Sequence, residues 1–120
     1  MHEQILLVDD DPLYIDLVRE ILSTKNFSVI AASNGAAALT LLQKHRVTMI
    51  ISDIDMPEMD GLAFHSQLLR EGVLKSTPFV FLTGSTDPRV ASYVRQKGIR
   101  LLSKSNLVAD LLSLISSLLK

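Results

Sequence analysis

Five short apolar runs alternating with helical patterns constrain this chain more than any other feature. Residues 5–8, 27–31, 47–51, 79–82 and 99–102 read as strands, and three of these runs are almost unbroken aliphatic or aromatic sequence. Near-continuous runs fit parallel strands covered on both faces, since a half-solvated strand would alternate polar and apolar residues. Helical stretches lie between them. In the first, Leu13/Leu17/Ile21 and Tyr14/Val18/Leu22 form adjacent i, i+4 rows on one face. The others cover approximately 36–45, 61–71, 88–97 and 107–119. Strict alternation at this spacing is the pattern of βαβ units and predicts a doubly wound α/β fold around a five-stranded parallel sheet.

Local chemistry marks the same boundaries. Asp11-Pro12 and Asp87-Pro88 each place a capping carboxylate before a proline at the first helical position, where a missing N–H costs nothing. Asp60 before Gly61 reads as a turn and cap. Gly72 and Gly98 sit where helices end and a left-handed residue is needed. A length of 120 residues matches one compact domain spanning 1–120. Composition excludes several classes: 48% hydrophobic residues exclude a disordered tail, and the absence of cysteine excludes a disulfide scaffold, a thiolate zinc site and a cysteine nucleophile. No apolar run approaches a membrane span, and acids from Glu3 onward break the pattern of a signal peptide, so a soluble cytoplasmic domain is expected. His2, His45 and His65 show no ligand spacing and read as surface residues.

The net charge of −1 gives no reason to expect direct nucleic-acid or membrane binding. Its distribution is more informative. Seven of the thirteen acids fall in two windows, Asp9, Asp10 and Asp11, then Asp53, Asp55, Glu58 and Asp60; the other six face twelve Lys and Arg. In doubly wound sheets, ligands bind beyond the carboxyl ends of the strands near a topological switch point. The residues just past the apolar runs are Asp9, Asp10 and Asp11, then Ser52, Asp53, Ile54 and Asp55, then Thr83, Gly84 and Ser85, then Ser103, Lys104 and Ser105. One edge therefore gathers carboxylates, a hydroxyl and one lysine. Two carboxylates about 5 Å apart repel by roughly 3 kcal/mol at an effective dielectric near 20, and Asp53 adds a third. Either they share protons or a cation neutralises them. With oxygen donors alone, Mg²⁺ or Mn²⁺ is the sensible ion. The plain alternative is a solvated acidic turn, with Lys104 on the surface and Thr83 an ordinary β-branched strand residue. Met56-Pro57 forces an extended loop after the third strand and keeps Asp53 out of a helix.

ILLVDDDP at the first strand, SDIDMPEMDG at the third, FLTGS at the fourth and LLSK at the fifth resemble the receiver domain of two-component response regulators. The resemblance runs over essentially the whole chain, and the D-x-x-M-P-x-M-D-G stretch from Asp53 to Gly61 is its most specific part. It implies a flavodoxin-like sheet of order 2-1-3-4-5. It also implies that Asp53 is the phosphoacceptor, taking a phosphoryl group from the phosphohistidine of a partner kinase or phosphotransfer protein. Asp10 would bind Mg²⁺ directly with Asp9 assisting, joined by Asp53 and the backbone carbonyl of Asp55. Lys104 would pair with Asp53 and then with the phosphoryl oxygens, and Thr83 would hydrogen-bond the phosphoryl group, converting added charge into a local shift. Such a protein is a signalling switch that catalyses its own phosphorylation and dephosphorylation, not a metabolic enzyme. A degenerate receiver acting only as a binding module would have lost an acid, the acceptor or the lysine. A small phosphohydrolase with an Asp nucleophile would need a cap or a larger pocket.

Four positions depart from the family's pattern. Leu101 stands where an aromatic residue usually precedes the lysine by three, so the usual rotamer switch cannot operate in that form. Ser105 replaces a proline that commonly follows the lysine. Gly84 follows Thr83 where alanine is frequent. Asp55 places a carboxylate two residues past the acceptor, where it is expected to alter phosphoryl lifetime. On the output side, Leu107, Val108, Leu111, Leu112, Leu114, Ile115, Leu118 and Leu119 form an apolar arc of roughly 160°. That arc either covers the sheet edge or leaves a flank for a homodimer or effector partner. The sequence names neither the kinase nor the output, nor whether the domain stands alone.

Overall fold

A computed structural model describes residues 3–56, 58–84 and 87–118. Strands β1 (Glu3–Val8), β2 (Phe27–Ala32), β3 (Met49–Ser52), β4 (Phe79–Thr83) and β5 (Arg100–Ser103) pair in parallel, in the order 2-1-3-4-5. They alternate with helices α1 (Pro12–Ser23), α2 (Gly35–Lys44), α3 (Gly61–Arg70), α4 (Pro88–Lys97) and α5 (Leu107–Leu118). Successive side chains of a strand point to opposite faces, and the continuous apolar runs use both. Ile5, Leu7, Ile51, Val80 and Leu82 pack on one side with Val18 and Leu22 of α1 and Leu111 and Ile115 of α5. Leu6, Val8 and Ile50 pack on the other with Ala38 of α2 and Phe64 and Leu68 of α3. Each buried Val, Leu, Ile or Phe side chain among these contributes roughly 1.5–3 kcal/mol. A one-residue slip would exchange the two layers, so the register, and with it the position of every strand end, is tightly set.

The punctuation works as the residue types require. Asp11, Asp60 and Asp87 accept the N–H groups of Leu13, Ala63 and Arg89, and Asn34 accepts that of Ala37. Gly72 and Gly98 have φ of +76° and +66°. The strands run one residue beyond the apolar runs at Ala32, Ser52, Thr83 and Ser103, because backbone pairing, not hydrophobicity, defines their length. Leu13 departs from its expected apolar row and is 70% exposed, because the first turn of α1 starts beyond the end of β1. On α5, Leu107, Leu111, Leu114 and Ile115 cover the sheet while Val108 and Leu112 remain exposed. The apolar arc thus does both things, covering the sheet and leaving an exposed flank. His2, Pro57, Ser85, the Leu118 side chain and Leu119 lie outside the described residues. Among the described residues, no helix is long and apolar enough to cross a membrane.

His65 corrects the expectation of a surface residue. It is 3% exposed, edge-on to Phe79 and Tyr93 and tilted against Phe81, with Nδ1 2.8 Å from the Tyr93 hydroxyl. That hydroxyl also lies 2.9 Å from Ser66 Oγ, tying α4 to α3. Burial, helped by the charge of Lys97, lowers the His65 pKa below the ordinary histidine value. A depressed pKa gives stability that is present above the unfolded-state value and lost as pH falls through the folded-state value. Between pH 7.5 and 5.5, denaturant midpoints should therefore fall more for the wild type than for His65→Gln. Parallel declines would show that His65 does not set this dependence.

Candidate functional site

The ends of β1 and β3 are adjacent because these strands are neighbours in the sheet. Their ladders continue one step into the acids. The Asp9 N–H donates to the Ala32 carbonyl at 3.0 Å, and the Asp53 N–H donates to the Val8 carbonyl at 2.7 Å. Both carboxylates are thus mounted on backbone still fixed by the sheet. Asp9 is fully buried and Asp53 is 4% exposed, whereas Asp10, one residue further past the end of β1, is exposed. One oxygen from each of Asp9, Asp10 and Asp53 lies within 4.8 Å of the others.

Lys104 reaches this cluster from the short helical turn Lys104–Asn106 after β5. Its Nζ is 3.1 Å from Asp9 Oδ2 and 3.1 Å from Asp53 Oδ2. The contact with Asp53 is a directed hydrogen bond, while Asp9 Oδ2 is buried without one among the described residues, despite its closeness to the ammonium. The other carboxylate oxygens are engaged: Asp9 Oδ1 accepts the Asp11 N–H at 2.9 Å, and Asp53 Oδ1 accepts the Ile54 N–H at 2.7 Å. Burial raises the Asp53 pKa above the usual carboxylate value, and the charge of Asp9 adds to this, against the opposing hydrogen bonds from Lys104 and Ile54. Burial alone would lower the Lys104 pKa. Its hydrogen bond to Asp53 and the charges of Asp53 and Asp9 outweigh that and raise it.

Among the described residues, three carboxylates face one ammonium, their ligand atoms are all oxygen, and one buried acceptor lacks a hydrogen bond. That donor set fits a small, hard divalent cation such as Mg²⁺ or Mn²⁺. Thr83 lies buried at the end of β4, paired in register with Ser103. A Cβ at Gly84 would meet Lys104 Cβ and Cδ at 3.9 Å, an ordinary contact, so the departure there is mild. Leu101 is 42% exposed on β5. The described peptide bonds are all trans, including the one before Ser105. Asp55 is exposed and stands outside the three-carboxylate group, in a cleft with Asp60, Asp87 and Arg89.

Sequence reasoning missed Asp110. Its carboxylate accepts the Ser103 N–H at 2.8 Å and the Asn106 side-chain amide at 3.1 Å, anchoring the turn that carries Lys104. An acid in the first turn of a helix, four residues after Asn106, was the available signal.

This sheet, with this acid and lysine geometry at its carboxyl edge, defines a class. The family model for the response regulator receiver domain matches residues 5–116, and the chain belongs to that family, the receivers of two-component signalling. Such domains are signalling proteins rather than metabolic enzymes, and they generally bind Mg²⁺ through an acidic pocket corresponding here to Asp9, Asp10 and Asp53. The transcriptional regulatory protein GlrR of Escherichia coli is 36% identical over 97 residues, covering 79% of this chain. That match spans only 21% of GlrR. Among solved structures, the chemotaxis response regulator CheY4 of Vibrio cholerae superposes with a TM-score of 0.85 at 30% identity, covering 98% of both chains. The receiver domain of a signal transduction histidine kinase from Syntrophus aciditrophicus gives 0.87 at 31% identity, covering 98% of this chain and 89% of that one.

Proposed function

We propose that this chain is a phosphoaccepting receiver in which Asp53 takes a phosphoryl group from a partner's phosphohistidine, in a kinase or a phosphotransfer protein. The observation that carries the reading is the Lys104 ammonium, held 3.1 Å from buried oxygens of both Asp53 and Asp9. An oxygen of Asp53 attacks phosphorus, forming an O–P bond as the donor's N–P bond breaks. The bonding pair stays on the imidazole nitrogen, which takes a proton from solvent. Such a transfer needs positioning and charge neutralisation more than further covalent chemistry. Lys104 follows the charge from the carboxylate to the phosphoryl oxygens. The Thr83 hydroxyl donates to a phosphoryl oxygen and draws the end of β4 toward the site.

The carboxylates of Asp9, Asp10 and Asp53 with the Asp55 backbone carbonyl would hold Mg²⁺, which supplies charge neutralisation at the phosphoryl oxygens. The resulting change at β4 and α4 alters contacts with a downstream partner.

Intact mass after incubation with Mg²⁺ and a small acyl phosphate tests this. The wild type should gain one phosphoryl group and Asp53→Asn none. A gain in the variant would move the acceptor elsewhere, and no gain in a folded, Mg²⁺-binding wild type would favour a binding module.

A further inference from the structure

Lys104 has a third neighbour. Tyr14, in the first turn of α1, presents its ring face to the ammonium, with Nζ 4.3 Å from the ring centroid. Two sides of Nζ are taken by Asp9 and Asp53, and the lysine side chain is only 14% exposed. A lysine stem has several rotatable bonds and a large rotamer entropy, so its head group needs something to hold it. An aromatic face within about 6 Å attracts a cation, more strongly when water is excluded. The choice of partner matters chemically. A further carboxylate would neutralise the ammonium, and an amide or hydroxyl oxygen would occupy one of its N–H groups. A ring face holds the charge in place while leaving its directional donors for Asp53 and whatever replaces it.

We propose that Tyr14 is a positioning residue for Lys104: its ring face fixes the ammonium against Asp9 and Asp53, so that α1 sets where this charge stands. The consequence for phosphoryl transfer rests on the reading of Asp53 as acceptor; the contact itself does not.

Two measurements on the full chain separate these. The first is the rate of phosphoryl uptake from a small acyl phosphate at saturating Mg²⁺, with melting temperature as a folding control. Tyr14→Leu should lower the rate about fivefold, equivalent to about 1 kcal/mol. Tyr14→Phe, which keeps the ring, should restore it to within about twofold. Adding Tyr14→Leu to Lys104→Met should slow uptake no further than Lys104→Met alone. A Leu variant as fast as the wild type would reduce Tyr14 to packing, and a Phe variant as slow as Leu would assign the effect to the hydroxyl instead of the ring face.

The second measurement needs no phosphorylation. Tyr14 and Tyr93 are the only tyrosines and there is no tryptophan, so in a Tyr93→Phe background the emission comes from Tyr14. Lys104→Met should change that emission, and an unchanged spectrum would overturn the contact. If the wild type accepts no phosphoryl group, the acceptor reading fails and the emission result alone decides the role of Tyr14.

Discussion

Gly61→Ala is expected to destabilise the fold by about 3 kcal/mol and to weaken Mg²⁺ binding at least roughly tenfold, although it adds a single methyl group. Gly61 is buried at the start of α3, and its N–H donates to the Ile54 carbonyl at 2.8 Å. A Cβ there would stand 2.7 Å from Ile54 Cα and press on the Asp53 carbonyl. These are backbone atoms at the end of β3 and cannot rotate aside. Either α3 lifts from the strand end or Asp53 moves. Movement of Asp53 would disturb both its N–H bond to Val8 and the bond fixing its own carboxylate to Ile54. Gly35→Ala provides the contrast. A Cβ there would meet Met59 Sδ at 2.8 Å, on a flexible side chain that can give way, and Phe64 Cβ at 3.2 Å, a tight contact but no backbone clash, so the loss should be nearer about 1 kcal/mol. Urea denaturation and calorimetric Mg²⁺ titration measure both. Equal, small losses at the two glycines would show that the end of β3 yields more easily than its hydrogen bonds suggest.

That glycine shows where the sequence was legible and where it stopped being so. The D-x-x-M-P-x-M-D-G stretch stood out as a motif, and Asp60 was readable as a cap from chemistry alone. The reason for glycine at position 61 lies in the approach of α3 to the end of β3, which no local pattern records. The sheet was readable because its strands are covered on both faces and therefore nearly continuous in hydrophobicity, and because capping acids before three helices and glycines after two of them mark boundaries. The gathering of Asp9, Asp10, Asp53, Thr83 and Lys104 at one edge followed from the same alternation, since parallel strands place all their carboxyl ends together.

Single polar residues resisted that logic. Asp9 and Asp10 read alike at the end of one apolar run, yet the structure buries the first and exposes the second. His65 looked like surface because its burial depends on Tyr93, 28 positions away. Tyr14 was read as one member of an apolar row. It does pack against one of the core clusters, but its ring face belongs to Lys104, 90 positions downstream. For His65 and Tyr14 the partner arrives from another crossover of the sheet, and apolar periodicity carries no information about it.

Lys104→Met should show how far the charges of the site depend on one another. Removing the ammonium leaves Asp9 and Asp53 buried with no cation between them. The expected cost at pH 7.5 without divalent ions is about 2 kcal/mol, below the roughly 3–5 typical of breaking a fully buried pair, because the Lys104 side chain is 14% exposed and Asp10 beside the pair is in contact with water. The pH dependence has a definite sign. The folded-state pKa of Asp53 is already raised, so its protonated form is the one the fold favours; stability from this group is present at low pH and lost as pH rises through the folded-state value. Without the hydrogen bond and charge of Lys104, which oppose that rise, the penalty at neutral pH grows, and the deficit against wild type should narrow on going from pH 7.5 to 5. Saturating Mg²⁺ should also narrow it, since an ion bound only by the folded chain stabilises by mass action. If Asp53 is the acceptor as proposed, phosphoryl uptake should still fall by about 10²-fold with Mg²⁺ present, because the cation would replace the missing charge but not the hydrogen-bond donor that Lys104 would offer the phosphoryl oxygens. A variant as stable as wild type at pH 7.5 and indifferent to Mg²⁺ would mean that the three carboxylates and the lysine are not one electrostatic unit, and the acceptor reading would lose the observation that carries it.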